Sequence, residues 1–140
     1  MHAAAPQLAS LENLYPDYPS SVALSRAAVS RFAAAAGIVG DRLDDVRLCV
    51  SEAVTNAVVH AYPDGKGGPI RVGAFATKEE VRVHISDDGC GLQRQTPRPG
   101  LGLGIKLMTK LSNGFAAREG VSGGVDVHLR FELASALACP

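Results

Sequence analysis

Apolar side chains divide the chain into a helical front half and an alternating back half. Residues 1–16 are loosely patterned, and Leu8, Leu11 and Leu14 are assigned to one edge strand. Tyr18-Pro19-Ser20-Ser21 then reads as a helix start, since Ser and Pro suit the first positions of a helix. Val22, Val29, Phe32, Ala33 and Ala36 form a helical stripe that stops at Gly37, a good C-terminal breaker. A second helix is expected from near Asp41 to about Ala61. Its apolar positions Leu43, Val46, Val50, Ala53, Val54, Ala57 and Ala61 fall on one face at about 100° per residue. Pro63-Asp64-Gly65-Lys66-Gly67-Gly68 is a loop by composition.

Beyond that loop the period changes to two. Ile70 and Val72 alternate with Arg71, and Val81, Val83 and Ile85 alternate with Arg82 and His84. Thr77-Lys78-Glu79-Glu80 is the hairpin connection between these strands. Asp87 to Pro99 is turn-rich, and a glycine series then opens a short helix from about Gly102 to Ser112. Two more strands are expected near Phe115–Arg118 and Val125–Leu133. In the last, Val125, Val127, Leu129, Phe131 and Leu133 face inward, while Asp126, His128, Arg130 and Glu132 face outward. The order predicts an α+β two-layer sandwich in one domain over residues 1–140, with helices covering one face of a mostly antiparallel sheet.

Composition narrows the function classes. The 140 residues carry 14 Lys+Arg and 14 Asp+Glu, so the formal net charge is zero, which argues against a dedicated nucleic-acid binder. No stretch approaches the roughly 18 consecutive apolar residues of a membrane span, and the N-terminus lacks a signal-peptide pattern. Cys49, Cys90 and Cys139 form no CxxC pair, which fits reduced thiols and a cytoplasmic location. The four histidines lack metal-site spacing.

Three polar insertions interrupt the apolar frame. Glu52, Asn56 and His60 lie in one row on the second helix, four residues apart. Such a row is either a solvated helix face or a place where a carboxylate, an amide oxygen and an imidazole meet a metal-bound phosphate. Asp87-Asp88-Gly89-Cys90-Gly91-Leu92 follows a strand directly. It is either an ordinary Asp-Gly turn or a site where backbone approaches a flat ligand while the acid accepts a hydrogen bond. Gly100-Leu101-Gly102-Leu103-Gly104 opens a helix and would present amide N–H groups to an anion. It matches neither the dinucleotide fingerprint nor a P-loop. Gly120-Val121-Ser122-Gly123-Gly124 fits GxSxG formally, but a strand follows where a nucleophile elbow needs a helix.

Taken in order, the helix segment Ser51-Glu52-Ala53-Val54-Thr55-Asn56-Ala57-Val58-Val59-His60-Ala61-Tyr62, the DxGxG loop and the GxGxG series resemble the N, G1 and G2 boxes of the GHKL (histidine kinase-like) ATP-binding fold. The wording of the helix and the single-domain length resemble the bacterial anti-sigma factor serine/threonine kinases of partner-switching systems. The resemblance implies ATP and Mg²⁺ as cofactors. It implies Glu52 as the general base, Asn56 as the Mg²⁺ ligand and Asp87 as the acceptor for the adenine amino group. Gly89 and Gly91 would let the loop pass close to the base; Gly100, Gly102 and Gly104 would give amides to the phosphates, with His60 and Arg98 nearby. A sigma factor and a small anti-anti-sigma protein of the STAS type are the implied partners, and a homodimer the implied assembly.

The chain departs from the family pattern twice. Gln93 to Pro99 is short for an ATP lid, although Arg94 and Arg98 could reach phosphate. Where the family shows a Gly-Thr pair touching the nucleotide, this chain reads Gly123-Gly124-Val125-Asp126, and the missing hydroxyl is expected to weaken phosphate binding. A non-catalytic, nucleotide-gated binding module and a stand-alone histidine-kinase-like ATPase domain therefore stand beside the kinase as alternative readings.

Overall fold

The computed structural model describes residues 6–62, 67–91, 101–120 and 123–133. Five strands are described: β1 (Ala9–Pro16), β2 (Pro69–Ala76), β3 (Glu80–Asp87), β4 (Gly114–Glu119) and β5 (Val125–Glu132). They form one sheet in the order β1-β2-β3-β5-β4, with every neighbouring pair antiparallel. Helices α1 (Ser20–Ala36), α2 (Asp41–His60) and α3 (Leu101–Leu111) complete the described elements. The α1–α2 hairpin covers the inner face of the sheet, and α3 packs beside α2. The α+β sandwich expected from the periodicity is the one observed.

Between the layers, Val29, Val46, Val50 and Val54 meet Ile70, Val72, Val83, Ile85, Leu129 and Phe131, all essentially without solvent contact. Period-two alternation delivers the sheet half of that core, and the i, i+4 rows of the helices deliver the other. The β2–β3 connection closes as expected. Thr77 N donates to Glu80 O, and the Thr77 hydroxyl accepts from the N–H groups of Glu79 and Glu80.

Three local expectations are corrected. β1 is an edge strand, but it does not hold three leucines on one face. Leu11, Asn13 and Tyr15 turn inward, whereas Leu14 is exposed and Leu8 precedes the strand, because positions three apart fall on opposite faces. At the start of α1 neither serine caps the helix. Pro19 is the flanking residue, and the Ser21 hydroxyl instead donates to Pro16 O at the end of β1 (2.6 Å). The inner ridge of α1 is Ser21, Ser25, Val29 and Ala33, with Val22 and Phe32 only half-buried. The buried Ser25 hydroxyl is satisfied by Ser21 O (2.6 Å), so small polar residues occupy a core ridge at no lost hydrogen bond.

The end of α1 follows expectation. Gly37 adopts φ 116°, its N–H donates to Ala34 O, and Ile38 N donates to Ala33 O with Ile38 buried. That pair of bonds is the Schellman arrangement, which a side chain at position 37 would strain.

Candidate active site

The site is assembled around α2. Amphipathic spacing buries Val50, Ala53, Val54 and Ala57 against the sheet and turns the Glu52–Asn56–His60 row toward one edge of the layer. All three side chains of that row are half-buried, so it is not a freely solvated face. The Asn56 side chain lines a cavity between α2, α3 and the inner face of the sheet. Asp87 lies in the same lining, and the remaining walls are apolar, among them Ile85, Met108, Val125 and Val127. Glu52 lies one turn earlier and rests on α3: a Cβ added at Gly104 would come within 3.0 Å of Glu52 Oε2. Gly104 therefore leaves room for the Glu52 carboxylate to rest against α3.

Asp87 ends β3 and is 5% exposed. One carboxylate oxygen, Oδ1, accepts from Gly89 N (2.8 Å) and from Val125 N (3.4 Å). Neither bond uses Oδ2, the second acceptor of the carboxylate. Burial pushes the Asp87 carboxyl above the usual carboxylate range, and the two amide N–H groups pull it part of the way back. An acid fixed by main-chain donors on one oxygen, in an otherwise apolar cleft, is equipped to accept from a ligand donor on the other.

The loop that follows is pressed onto the end of α2. Cys90 N donates to Ala61 O (2.9 Å) and Cys90 Sγ to His60 O (3.3 Å), which gives this cysteine a place as a helix-end contact. A Cβ at Gly89 would lie 2.0 Å from Ala61 O, so only glycine allows that approach. Gly91 has φ 74° and faces Gly123 O.

Residues singled out from sequence thus divide as follows. Asn56 and Asp87 share one cavity, Glu52 lies outside its lining and packs against Gly104 of α3, and Gly89 and Gly91 shape the loop. Gly102 lies in the first turn of α3, where N–H groups have no partner within the helix, whereas Gly104 stands at the fourth helical position, where the intrahelical bonds begin. His60 stands at the last residue of α2 and is not among the cavity-lining residues. Arg98 and Gly100, together with the rest of the segment 92–100, lie outside the described residues.

The Gly123-Gly124-Val125-Asp126 segment runs beside the Asp87 loop. It abuts Asp87: a Cβ at Gly124 would lie 1.7 Å from Asp87 O, and the Val125 amide contributes to holding the carboxylate. Asp126 pairs with Ser86 and Arg118 across the outer face of the sheet, away from the cavity. The sequence singled out Gly124 only as part of a glycine-rich turn and of a segment lacking the family's hydroxyl; its packing on the Asp87 main chain is a contact that the sequence reading did not contain.

Against known sequences, the histidine kinase-like ATPase domain family matches residues 15–131. The chain belongs to the histidine kinase-like ATPase family. An anti-sigma F factor of Clostridium botulinum is 30% identical over 119 residues, covering 77% of this chain and 83% of that protein. A serine-protein kinase RsbW of Listeria monocytogenes is 32% identical over 87 residues, covering 62% of this chain and 55% of that protein. Among solved structures, the RsbU and RsbW domains of Rv1364c from Mycobacterium tuberculosis superimpose with a TM-score of 0.71 at 23% identity. The match covers 89% of this chain and 32% of that one, and it supports the family fold.

Proposed function

We propose that this chain is an ATP-dependent serine/threonine protein kinase that also acts as an anti-sigma factor. In this reading it holds a sigma factor inactive and phosphorylates a small anti-anti-sigma partner of the STAS type, as a homodimer in the cytoplasm. The relatives named anti-sigma F factor and serine-protein kinase support the class. The observation that carries the chemistry is that Asp87 and Asn56 line one cavity, with Glu52 one turn before Asn56 on α2.

Each residue has work suited to its position. Asp87 Oδ2 accepts from the adenine amino group, which selects adenine over guanine because guanine presents an acceptor at that point. The apolar cavity walls take the base faces. The first-turn amides of α3 meet the phosphates. Asn56 offers a neutral side-chain oxygen, a donor suited to Mg²⁺, which prefers one or two protein ligands and several phosphate or water oxygens. Among the described residues no cluster of three or more His, Cys, Asp or Glu could hold a metal, so an Asn-plus-phosphate site fits the donor set. When bound, the metal neutralises charge on the phosphates. Glu52 takes the proton from the partner's serine hydroxyl as that oxygen bonds to the γ-phosphorus and ADP leaves.

Incubation with Mg-ATP and the cognate partner tests the assignment. Phosphate should appear on a serine of the partner, and Glu52→Ala should lower transfer by at least about a hundredfold while leaving ATP affinity within a few-fold. Transfer that persists in Glu52→Ala removes Glu52 as the base. Tight ATP binding with no transfer to the partner by the unmodified chain would favour the nucleotide-gated module instead.

A further inference from the structure

We propose that Tyr62 is a positioning residue for nucleotide selection, its hydroxyl holding the Asp87 loop in register with the helix that carries Glu52 and Asn56. The inference rests on the reading of Asp87 as the adenine acceptor.

Tyr62 follows α2 by two residues, and its hydroxyl joins three parts of the fold. It donates to Pro69 O at the start of β2 (2.8 Å) and accepts from Asp88 N just beyond β3 (2.9 Å). The ring fills the space where Gly68 would carry a side chain: a Cβ there would lie 2.4 Å from Tyr62 Cζ. On the far side, the Asp88 carboxylate is gripped by both terminal nitrogens of Arg71 (3.1 and 2.7 Å).

The three amides after Asp87 are each assigned a partner. Asp88 N donates to Tyr62 Oη, Gly89 N to Asp87 Oδ1, and Cys90 N to Ala61 O. Two of the three acceptors belong to residues 61 and 62. The loop therefore cannot shift relative to α2 without breaking bonds on both sides of the one that orients Asp87. Asn56 lies in the last two turns of the same helix, so the geometry fixes the separation between the base-selecting acid and the phosphate end of the site.

Tyr62→Phe keeps the ring against Gly68 and removes only the bridge. Asp88 is exposed, so water can replace the lost partner and the fold should survive. The test is calorimetric titration of the full chain with ATP and with purine riboside triphosphate, which lacks the 6-amino group. Tyr62→Phe should weaken ATP binding by about three- to tenfold and leave the purine analogue unchanged. In an Asp87→Asn background the same change should have no further effect on ATP. Amide exchange at Asp88 should quicken in the ligand-free variant. Equal weakening of both nucleotides, an additive effect with Asp87→Asn, or unchanged exchange at Asp88 would overturn the role of Tyr62. If the unmodified chain binds both nucleotides equally, the reading of Asp87 itself fails, and that result appears before any Tyr62 variant is compared.

Discussion

At Asp87 the cost of burying a carboxylate and the gain from using it can be separated. An acid whose pKa is raised by folding binds more protons folded than unfolded between its two pKa values. Stability therefore falls as pH rises from about 4 through that interval, and the cost is complete above it. Asp87→Asn keeps an oxygen for the amides of Gly89 and Val125 and removes the charge. The ligand-free variant should be at least as stable as the parent at pH 7, with the difference shrinking toward pH 4, while ATP affinity falls by about tenfold or more. Thermal melts across pH 4–8 with parallel titrations check both halves. Glu52, Asn56 and Asp87 drew attention as polar residues in apolar frames, but that pattern left a solvated helix face and an ordinary Asp-Gly turn open; their proposed roles come from the family resemblance. The contact of Gly124 with Asp87 was not legible, since it joins residues 37 positions apart and no local pattern encodes it.

Among the elements, α1 shows what hydrophobic periodicity reads well and what it misses. The stop at Gly37 was plain in the sequence, because the left-handed position demands a residue without Cβ. Gly37→Ala should cost about 1–2 kcal/mol, readable from denaturant midpoints. Such a change leaves the cavity lining untouched, so nucleotide affinity should hold. The buried ridge Ser21–Ser25 was invisible to the same reading, because serine counts as polar until its hydroxyl is seen returned to the backbone. At the far end of the layer, Arg42 makes a tie that spacing cannot disclose. Its guanidinium donates to Leu111 O at the end of α3 (2.6 Å) and to the Asn113 side chain, and lies 5.5 Å from the centre of the Phe131 ring. The helix whose first turn is proposed to meet the phosphates is thus anchored at its last.

Over the molecule as a whole, the two layers and the places of helices and strands along the chain were readable because alternation and helical period are separate in this chain, whereas the order β1-β2-β3-β5-β4 was not. Register was not, since it is fixed by pairing between distant strands. Register brings His84 and His128 side by side on the open face of the sheet, ring centres 6.3 Å apart, beside Arg82 and Arg118. Burial lowers the His128 pKa, and the Arg118 and His84 charges lower it further. A base with a depressed folded pKa binds fewer protons folded than unfolded below about 6.5, so the native state loses stability on acidification through that window. Melts of parent and His128→Asn at pH 5 and pH 7 isolate this contribution: the variant should gain stability relative to the parent on going from pH 7 to pH 5. This pH slope is opposite in sign to that of Asp87 and arises on the face that the cavity does not use.

The closeness of Gly124 to Asp87 bears on how the pocket could be targeted. At the end proposed to take the base, the carboxylate is bounded by the amides of Gly89 and Val125, and its residue's own carbonyl packs under Gly124. These are main-chain atoms, and the glycines at 89 and 124 admit no side chain without a backbone collision. An inhibitor shaped to that end and donating to Asp87 would leave the protein few single substitutions by which to escape it.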